Sequence, residues 1–434
     1  MASEINKQPP FPILPAYRPV AFEMFFDTLT SASRGENAVI RVYKDGVELT
    51  DRPIRQKSSR NETSPLSPLD TRWYFEIDIQ TDCQVTLAPY VSLPSGFVNP
   101  ATRFVSNMDM FGVYYITVTF EIVDLTTSLL EDSGIDQETS EEFTVFSASK
   151  GNLESMFLGE YYGTWASQDI KFLTKSKRSL TTCTSESSFL TLIAPPDMPA
   201  FPLGLNAIRV ILYDSGNNIL SVSISAFSFV VKNSTQLTIN TGVEALQNGF
   251  WLPLIPNFSD PGLSYYTIEA GEGDFILQTF QSQTEVFTYF PKKSCCSNKS
   301  LRLHWMNRLG GIDSFTFDDA KDLRETTTSE RGKKALGWVI GGTSPHKTSS
   351  EGLFKYNSQS IQQYLVTTRF LTNNEALWLS ELLSSSKVYI DVDNTFTLVA
   401  CTVQDTTQSI TRNDGKIKYS LVLTLSNNPI NHRL

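Results

Sequence analysis

The sequence predicts a mainly β protein, with β-sandwich domains in series and a small α+β domain at the C-terminal end. Three observations predict it. In run after run the apolar residues fall at every second position, as in YYITVTFEIV from Tyr114, where Ile116, Val118, Phe120 and Ile122 alternate with Thr117, Thr119 and Glu121. This is the pattern of a strand with one buried face. Tight-turn dipeptides such as Asp45-Gly46 in VYKDGVEL separate such runs, a strong hairpin signal. A helical spacing occurs in FLTNNEALWLSELLSS, where Ala376, Leu379, Leu382 and Leu383 recur behind a capping box of Thr372 and Glu375. A chain of 434 residues with 40% hydrophobic and 12% aromatic content can bury several cores at about 100–200 residues each.

Taken in order, residues 1–16 carry four of the 21 prolines, which hold the backbone extended and remove ladder donors. They are expected to form an arm that docks on something else. Residues 17–150 are expected to form a β-sandwich, with Val20, Phe22, Met24 and Phe26 on one face of its first strand. Within it QKSSRNETSPLSP, from Gln56, has the composition of a long loop. Residues 151–318 form the second expected sandwich, from strands such as SFLTLIAP and AIRVILYDSGNNILSVSIS, the latter turning at Gly216-Asn217-Asn218. Its one short helix is expected at TGVEALQNG, capped by Thr241 and Glu244 and stopped by Gly249. The stretch KSLRLHWMNRLGGIDSFTF, residues 299–317, closes this block as a hairpin. Leu301, Leu303 and Trp305 alternate with Arg302, His304 and Met306, and Asp313, Phe315 and Phe317 alternate with Ile312, Ser314 and Thr316 around a Gly-Gly turn. The run DDAKDLRETTTSERGKK, from Asp318, has no apolar stripe and is expected to be a boundary or an exposed loop. Residues 319–434 are the small α+β domain, which ends in a meander through Asn413-Asp414-Gly415.

Composition narrows the function classes. Forty-six acidic against 36 basic residues give a net charge of −10, which repels phosphate backbones. The densest basic run, KFLTKSKRSL from Lys171, is broken by apolar residues and lacks regularly spaced aromatics, so no nucleic-acid partner is expected. Cys83, Cys183, Cys295, Cys296 and Cys401 form no CxxC pair and read as free buried thiols. The segment MASEINKQPPFPILPAYRP has no apolar core of signal-peptide length, and no window approaches a membrane span. Synthesis and folding in the cytoplasm, without membrane insertion, are expected.

The chemistry-bearing residues point to no reaction. Only three His are present: His432 near the end, His346 in a Gly/Ser/Thr-rich loop, and His304 on what reads as the polar face of a strand. Gly310-Gly311 lacks the spacing and the following helix of a phosphate loop and instead supplies turn angles, as does Gly341-Gly342. Asp318-Asp319 and Glu141-Glu142 are neighbours on extended chain and point to opposite faces. No nucleophile elbow, HExxH, P-loop or EF-hand pattern occurs. Tyr161, Tyr162 and Trp165 in LGEYYGTWAS are the best aromatics for carbohydrate stacking, with packing between sheets as their ordinary role. No catalytic, cofactor-binding or metal-ligating residue is assigned, and no cofactor is expected.

The combination LHWMNRLGGIDSFTF, a charged loop, the helix and strand ALWLSELLSSSKVYIDV and the closing CTVQDTTQSITRNDGKIKYSLVLTLSN resembles tail-region structural proteins of tailed bacteriophages that infect Bacteroidota. The resemblance covers residues 290–434. Phe22 in YRPVAFEMF and Cys83 in TDCQVTLAPY fit its N-terminal pattern more loosely. It implies a non-enzymatic virion protein of the tail tip, baseplate or adaptor region, repeated in a homo-oligomeric ring with other virion proteins as partners. A receptor- or glycan-binding adhesin of the same particle, with a host surface glycan as partner, is the alternative. A secreted cellular polysaccharide-binding protein ranks third.

Overall fold

The computed structural model describes residues 3–8, 13–16, 20–29, 37–49, 54–57, 60–63, 65, 70–79, 104–107, 111–119, 122–123, 130–131, 137–146, 148, 170–184, 186–194, 207–226, 235–249, 257–274, 279–292, 300–333, 353–385, 387–392, 397–410, 417–426 and 431–433. The described chain is mostly strand, as expected.

Two sheets form the first sandwich. A four-stranded sheet orders Ser3–Lys7, Ala21–Leu29, Asp70–Asp78 and Arg60–Thr63, and a larger one orders Ile13–Pro15, Phe143–Phe146, Phe111–Thr119, Asn37–Lys44 and Val47–Glu48. Phe22, Met24 and Phe75 from the first meet Ile40, Val42 and Val145 from the second in one core. The hairpin at Asp45-Gly46 is present, both residues at positive φ (51° and 81°), as the strand twist demands of a two-residue turn.

The N-terminal arm is a correction. Ser3–Lys7 pairs with Ala21–Leu29, Ile13–Pro15 pairs in parallel with Phe143–Phe146, and Ala16 is fully buried. Proline blocks one donor, but Ile13–Pro15 is a sheet edge, where that donor has no partner to lose. The loop expected from Gln56 is also corrected, since Ile54–Lys57 and Arg60–Thr63 are strands.

In the second sandwich, a six-stranded sheet runs Ser179–Cys183, Phe287–Lys292, Tyr265–Asp274, Ala207–Tyr213 and Ile219–Ala226, with Thr279–Ser282 paired beside Tyr265–Asp274. It faces a three-stranded sheet of Phe189–Ala194, Thr235–Asn240 and Phe104–Asn107. Leu192, Ile239, Val210, Tyr266 and Tyr289 fill the space between them. Phe104–Asn107 comes from the first block, so the division at residue 150 is not a division between sheets. The expected helix spans Val243–Gly249, but the Thr241 hydroxyl turns away from it and donates to the Tyr289 hydroxyl (3.0 Å).

The third sheet has eight strands. Its order is Ile312–Phe317, Leu301–Met306, Val388–Val392, Thr397–Ile410, Ile417–Leu425, Leu353–Thr367 and Asp319–Lys333, with Asn431–Arg433 on Leu353–Thr367 and every pair antiparallel. The two ends of that order, Ile312–Phe317 and Asp319–Lys333, are separated in the chain by Asp318 alone. A sheet whose ends are one residue apart must curl until they meet, so this one is nearly a barrel. The charged run expected as a loop is therefore a 15-residue strand. Leu301–Met306 and Ile312–Phe317 also belong here and not to the second sandwich, because their apolar face enters the core with Trp378, Leu379 and Leu423. The helix Asn373–Leu379 closes that core, and Thr372 and Glu375 form the expected capping box. It tightens into a 3-10 turn at Ser380–Ser384, which leaves Leu383 exposed and Leu382 buried.

Candidate functional site

Residues 301–317 lie where the second sandwich meets the third sheet. The two strands pair in the expected register, Leu303 opposite Phe315 and His304 opposite Ser314. The turn is built by Asn307, whose Oδ1 accepts the N–H groups of Leu309 (3.0 Å) and Gly311 (2.9 Å) while its Nδ2 donates to the Leu173 carbonyl (2.6 Å). Gly310 has φ +83°, and a Cβ on Gly311 would sit 2.2 Å from that same carbonyl oxygen. The Gly-Gly pair is thus required twice, once for an angle and once for a close approach.

The face expected to meet solvent does not. Arg302, 8% exposed, packs on the second sandwich: its Nη1 donates to Glu186 (3.1 Å) and Thr316 (2.6 Å), and its Nε to the Ser187 carbonyl. The Thr316 hydroxyl donates in turn to the other Glu186 oxygen (2.7 Å), and Glu186 also accepts the Cys183 N–H (3.1 Å). Asp391 stands opposite Arg302 on the neighbouring strand; burial pushes its carboxyl up to about 6, against the pull of Arg302.

His304 is fully buried, its Nδ1 2.8 Å from the Ser314 hydroxyl and its ring edge-on to Phe189. Burial first, and then Arg302, hold its pKa well below the ordinary value. It is a neutral ring in a packed wall, which corrects its placement on a polar face. Asp313, 3% exposed, accepts the Trp378 indole N–H (2.7 Å). Burial raises it to about 6 although Thr174, Trp378 and Asn307 bond to it.

The basic run from Lys171 is a strap between the two units. Lys175 pairs with Glu381 (3.4 Å) and Lys177 with Glu375 (2.9 Å) on the third, while Arg178 pairs with Glu285 (2.5 Å) on the second. Above Arg302 the units leave a cleft of about 380 Å³, into which Lys177, Lys292, Arg369, Glu186 and Glu375 face. Chemically this set of groups joins two sheets by charge-assisted bonds out of water, where each is stronger and an orphaned member is costly. Replacing Arg302 by Met should therefore destabilise the protein by about 3–5 kcal/mol, since Glu186 would remain buried and lose the Arg302 guanidinium that pairs with it. Thermal unfolding measures this directly.

Among the described residues no group of three His, Cys, Asp or Glu is placed to hold a metal. Cys183 is disulfide-bonded, which corrects its reading as a free thiol. Cys401 is free, and burial pushes its thiol up to about 12. Glu141 and Glu142 are both exposed and Asp318 is exposed beside half-buried Asp319, so neither pair faces a common site. Cys83, Cys295, Cys296, Tyr161, Tyr162, Trp165, Gly341, Gly342 and His346 lie outside the described residues. No helix among the described residues is long and apolar enough to cross a membrane. Sequence reading missed Glu186 and Glu381 and took Glu375 only as a capping residue, since their cationic partners lie far away in the chain.

No family model matches the chain, and no curated protein does. Among solved structures, a chain described as the tail of an empty GTA particle computed with helical refinement in C6 symmetry aligns over 31% of this chain and 95% of its own length. The identity is 11% and the TM-score 0.18, too low to bear on fold or function.

Proposed function

We propose that the chain is a non-enzymatic structural subunit of a bacteriophage tail, in the tip, baseplate or adaptor region, assembled in the host cytoplasm with copies of itself and other virion proteins. The observation that carries this reading is the ribbon Asp319–Lys333 with Leu353–Thr367. Fifteen residues per strand reach about 50 Å. Among the described residues, Ile417–Leu425 covers it only at Gln363–Thr367 and Asn431–Arg433 only at Asn357–Gln359. A two-stranded ribbon is marginal alone in water, so its far end is suited to contact with a neighbour. The resemblance of residues 290–434 to tail proteins supports the same reading, as does the way the polar groups of 301–317 are engaged in holding two sheets together.

The test replaces residues 331–355 by an Asn-Gly turn. The variant should fold with unchanged circular dichroism and fail to enter particles. Normal incorporation, absence of the full-length protein from purified virions, or reproducible turnover of capsule, peptidoglycan or peptide substrates would sink the reading. A glycan-binding adhesin of the same particle is favoured by one observation, the hydroxyls of Thr181, Ser188, Ser300 and Thr316 around the cleft, which suit a hydroxyl-rich ligand. Absence of binding to any host surface glycan on an array removes it.

A further inference from the structure

Arg302 has one nitrogen to spare. Its Nη1 serves Glu186 and Thr316 and its Nε serves the Ser187 carbonyl, but its Nη2 bonds to no described residue and is in reach of water. The residue is 8% exposed and lines the cleft of about 380 Å³ between the second sandwich and the third sheet, so the cleft is the open space that this nitrogen meets.

The same cleft is short of negative charge. Lys177 Nζ and Arg369 Nη2 both reach one oxygen of Glu375, at 2.9 and 3.0 Å. The other oxygen already accepts the Thr372 N–H (3.0 Å) and hydroxyl (3.2 Å). One carboxylate thus answers two cations. Over the whole lining, Lys177, Lys292, Arg302 and Arg369 stand against Glu186, Asp318 and Glu375, a surplus of one positive charge on a chain whose net charge is −10. The low-dielectric walls of a cleft concentrate the field of such a surplus inside it. The hydroxyls of Thr181 and Ser300 line the same space and bond to no described residue. The volume falls within the range of small-molecule sites, about 300–1,000 Å³.

We propose that this cleft binds an acidic saccharide through a single carboxylate, held by Arg302 Nη2 with Lys177 and Arg369, while Thr181 and Ser300 take sugar hydroxyls. The proposal rests on the glycan-binding reading of the cleft and narrows it to one ligand class. A surplus of one charge is matched by one carboxylate, whereas a phosphate monoester brings about 1.5–2 charges at pH 7 and overshoots it. Charge-assisted bonds to a guanidinium are about twice as strong as neutral ones, so the carboxylate anchors the sugar and the hydroxyls orient it. The bonds that already fix Arg302 hold the guanidinium in place before the ligand arrives, which lowers the ordering cost of binding.

Calorimetric titration of the full-length protein with sialyllactose, a trisaccharide with one carboxylate, tests this. Its methyl ester, lactose and sodium acetate are the comparisons. Sialyllactose should bind at least about tenfold more tightly than its ester or lactose and should weaken as salt is raised; acetate should show no saturable binding. Lys177→Gln cancels the surplus and should weaken binding about tenfold, and Asp318→Asn doubles the surplus and should tighten it. Both residues are exposed, so both variants should keep the wild-type circular dichroism and thermal midpoint. Equal affinity for sialyllactose and its ester, wild-type affinity in Lys177→Gln, or acetate binding as tight as the saccharide's overturns the proposal and leaves neutral-glycan binding standing. Absence of binding by sialyllactose, its ester and lactose alike removes the glycan-binding reading together with it.

Discussion

Gly311→Val is expected to lower stability by about 3 kcal/mol or more, a large part of the total for an ordinary domain. The new Cβ would lie 2.2 Å from the Leu173 carbonyl oxygen and 2.9 Å from the Leu173 Cβ. Neither can retreat, because the same carbonyl accepts the Asn307 amide that builds the turn, and Leu173 N–H is bonded to the Thr191 carbonyl (2.7 Å). His304→Ala, which would be harmless on a solvent face, should cost about 2–4 kcal/mol as a cavity in a packed wall, and elemental analysis should find no metal lost with the ring. Urea midpoints measure both. A Gly311→Val midpoint equal to wild type would show that the strap does not press on the turn.

Two buried groups of the 301–317 hairpin should act on stability in opposite senses as the pH falls: Asp313 adds stability, while His304, held well below 6.5 by burial and then by Arg302, removes it, because the unfolded ring takes up a proton that the folded ring refuses. Asp313 is raised from 3.8 to about 6 by burial, so between those values the folded state holds a proton that the unfolded state releases. Protonation then favours folding: the cost of the buried charge, about 3 kcal/mol for a shift of roughly two units, is present above pH 6 and disappears towards pH 4. Asp391 is also raised to about 6 and acts in the same sense. Glu23 and Glu375 are lowered by their cationic and hydrogen-bonded partners, so their contributions fade as pH falls below the ordinary Glu range and set the lower limit. Asp313→Asn, which keeps an oxygen for the Trp378 N–H, should remove only the Asp313 part, so that the variant gains stability relative to wild type as the pH rises from about 4 to 6. A difference between the urea midpoints of Asp313→Asn and wild type that stays constant from about pH 4 to pH 7 would contradict this assignment.

What the sequence disclosed was local. The Thr372 and Glu375 capping box, the Asp45-Gly46 turn and the alternation on both flanks of Gly310-Gly311 all depend on residues a few positions apart, and each is present as expected. What it concealed depends on distant partners. Arg302 reads as a solvent-facing charge because Glu186 is 116 positions away, and His304 reads as polar-faced because the wall that buries it belongs to Phe189. The run from Asp318 misleads for another reason: composition reports how side chains meet water, while the ladder is made by backbone groups that every residue but proline supplies. Pro15 misleads in the same way, since it lies in a strand at the end of its sheet's order, where a missing donor is tolerated.

The single residue between Phe317 and Asp319 also has a mechanical meaning. A pull on the ribbon passes through Asp318 straight into Ile312–Phe317, and from there across a six-residue ladder into Leu301–Met306, whose Arg302 is anchored on the second sandwich. Without slack at that point, tension on the tip has no loop to unfurl before it loads the ladder, so the two units would carry force as one body.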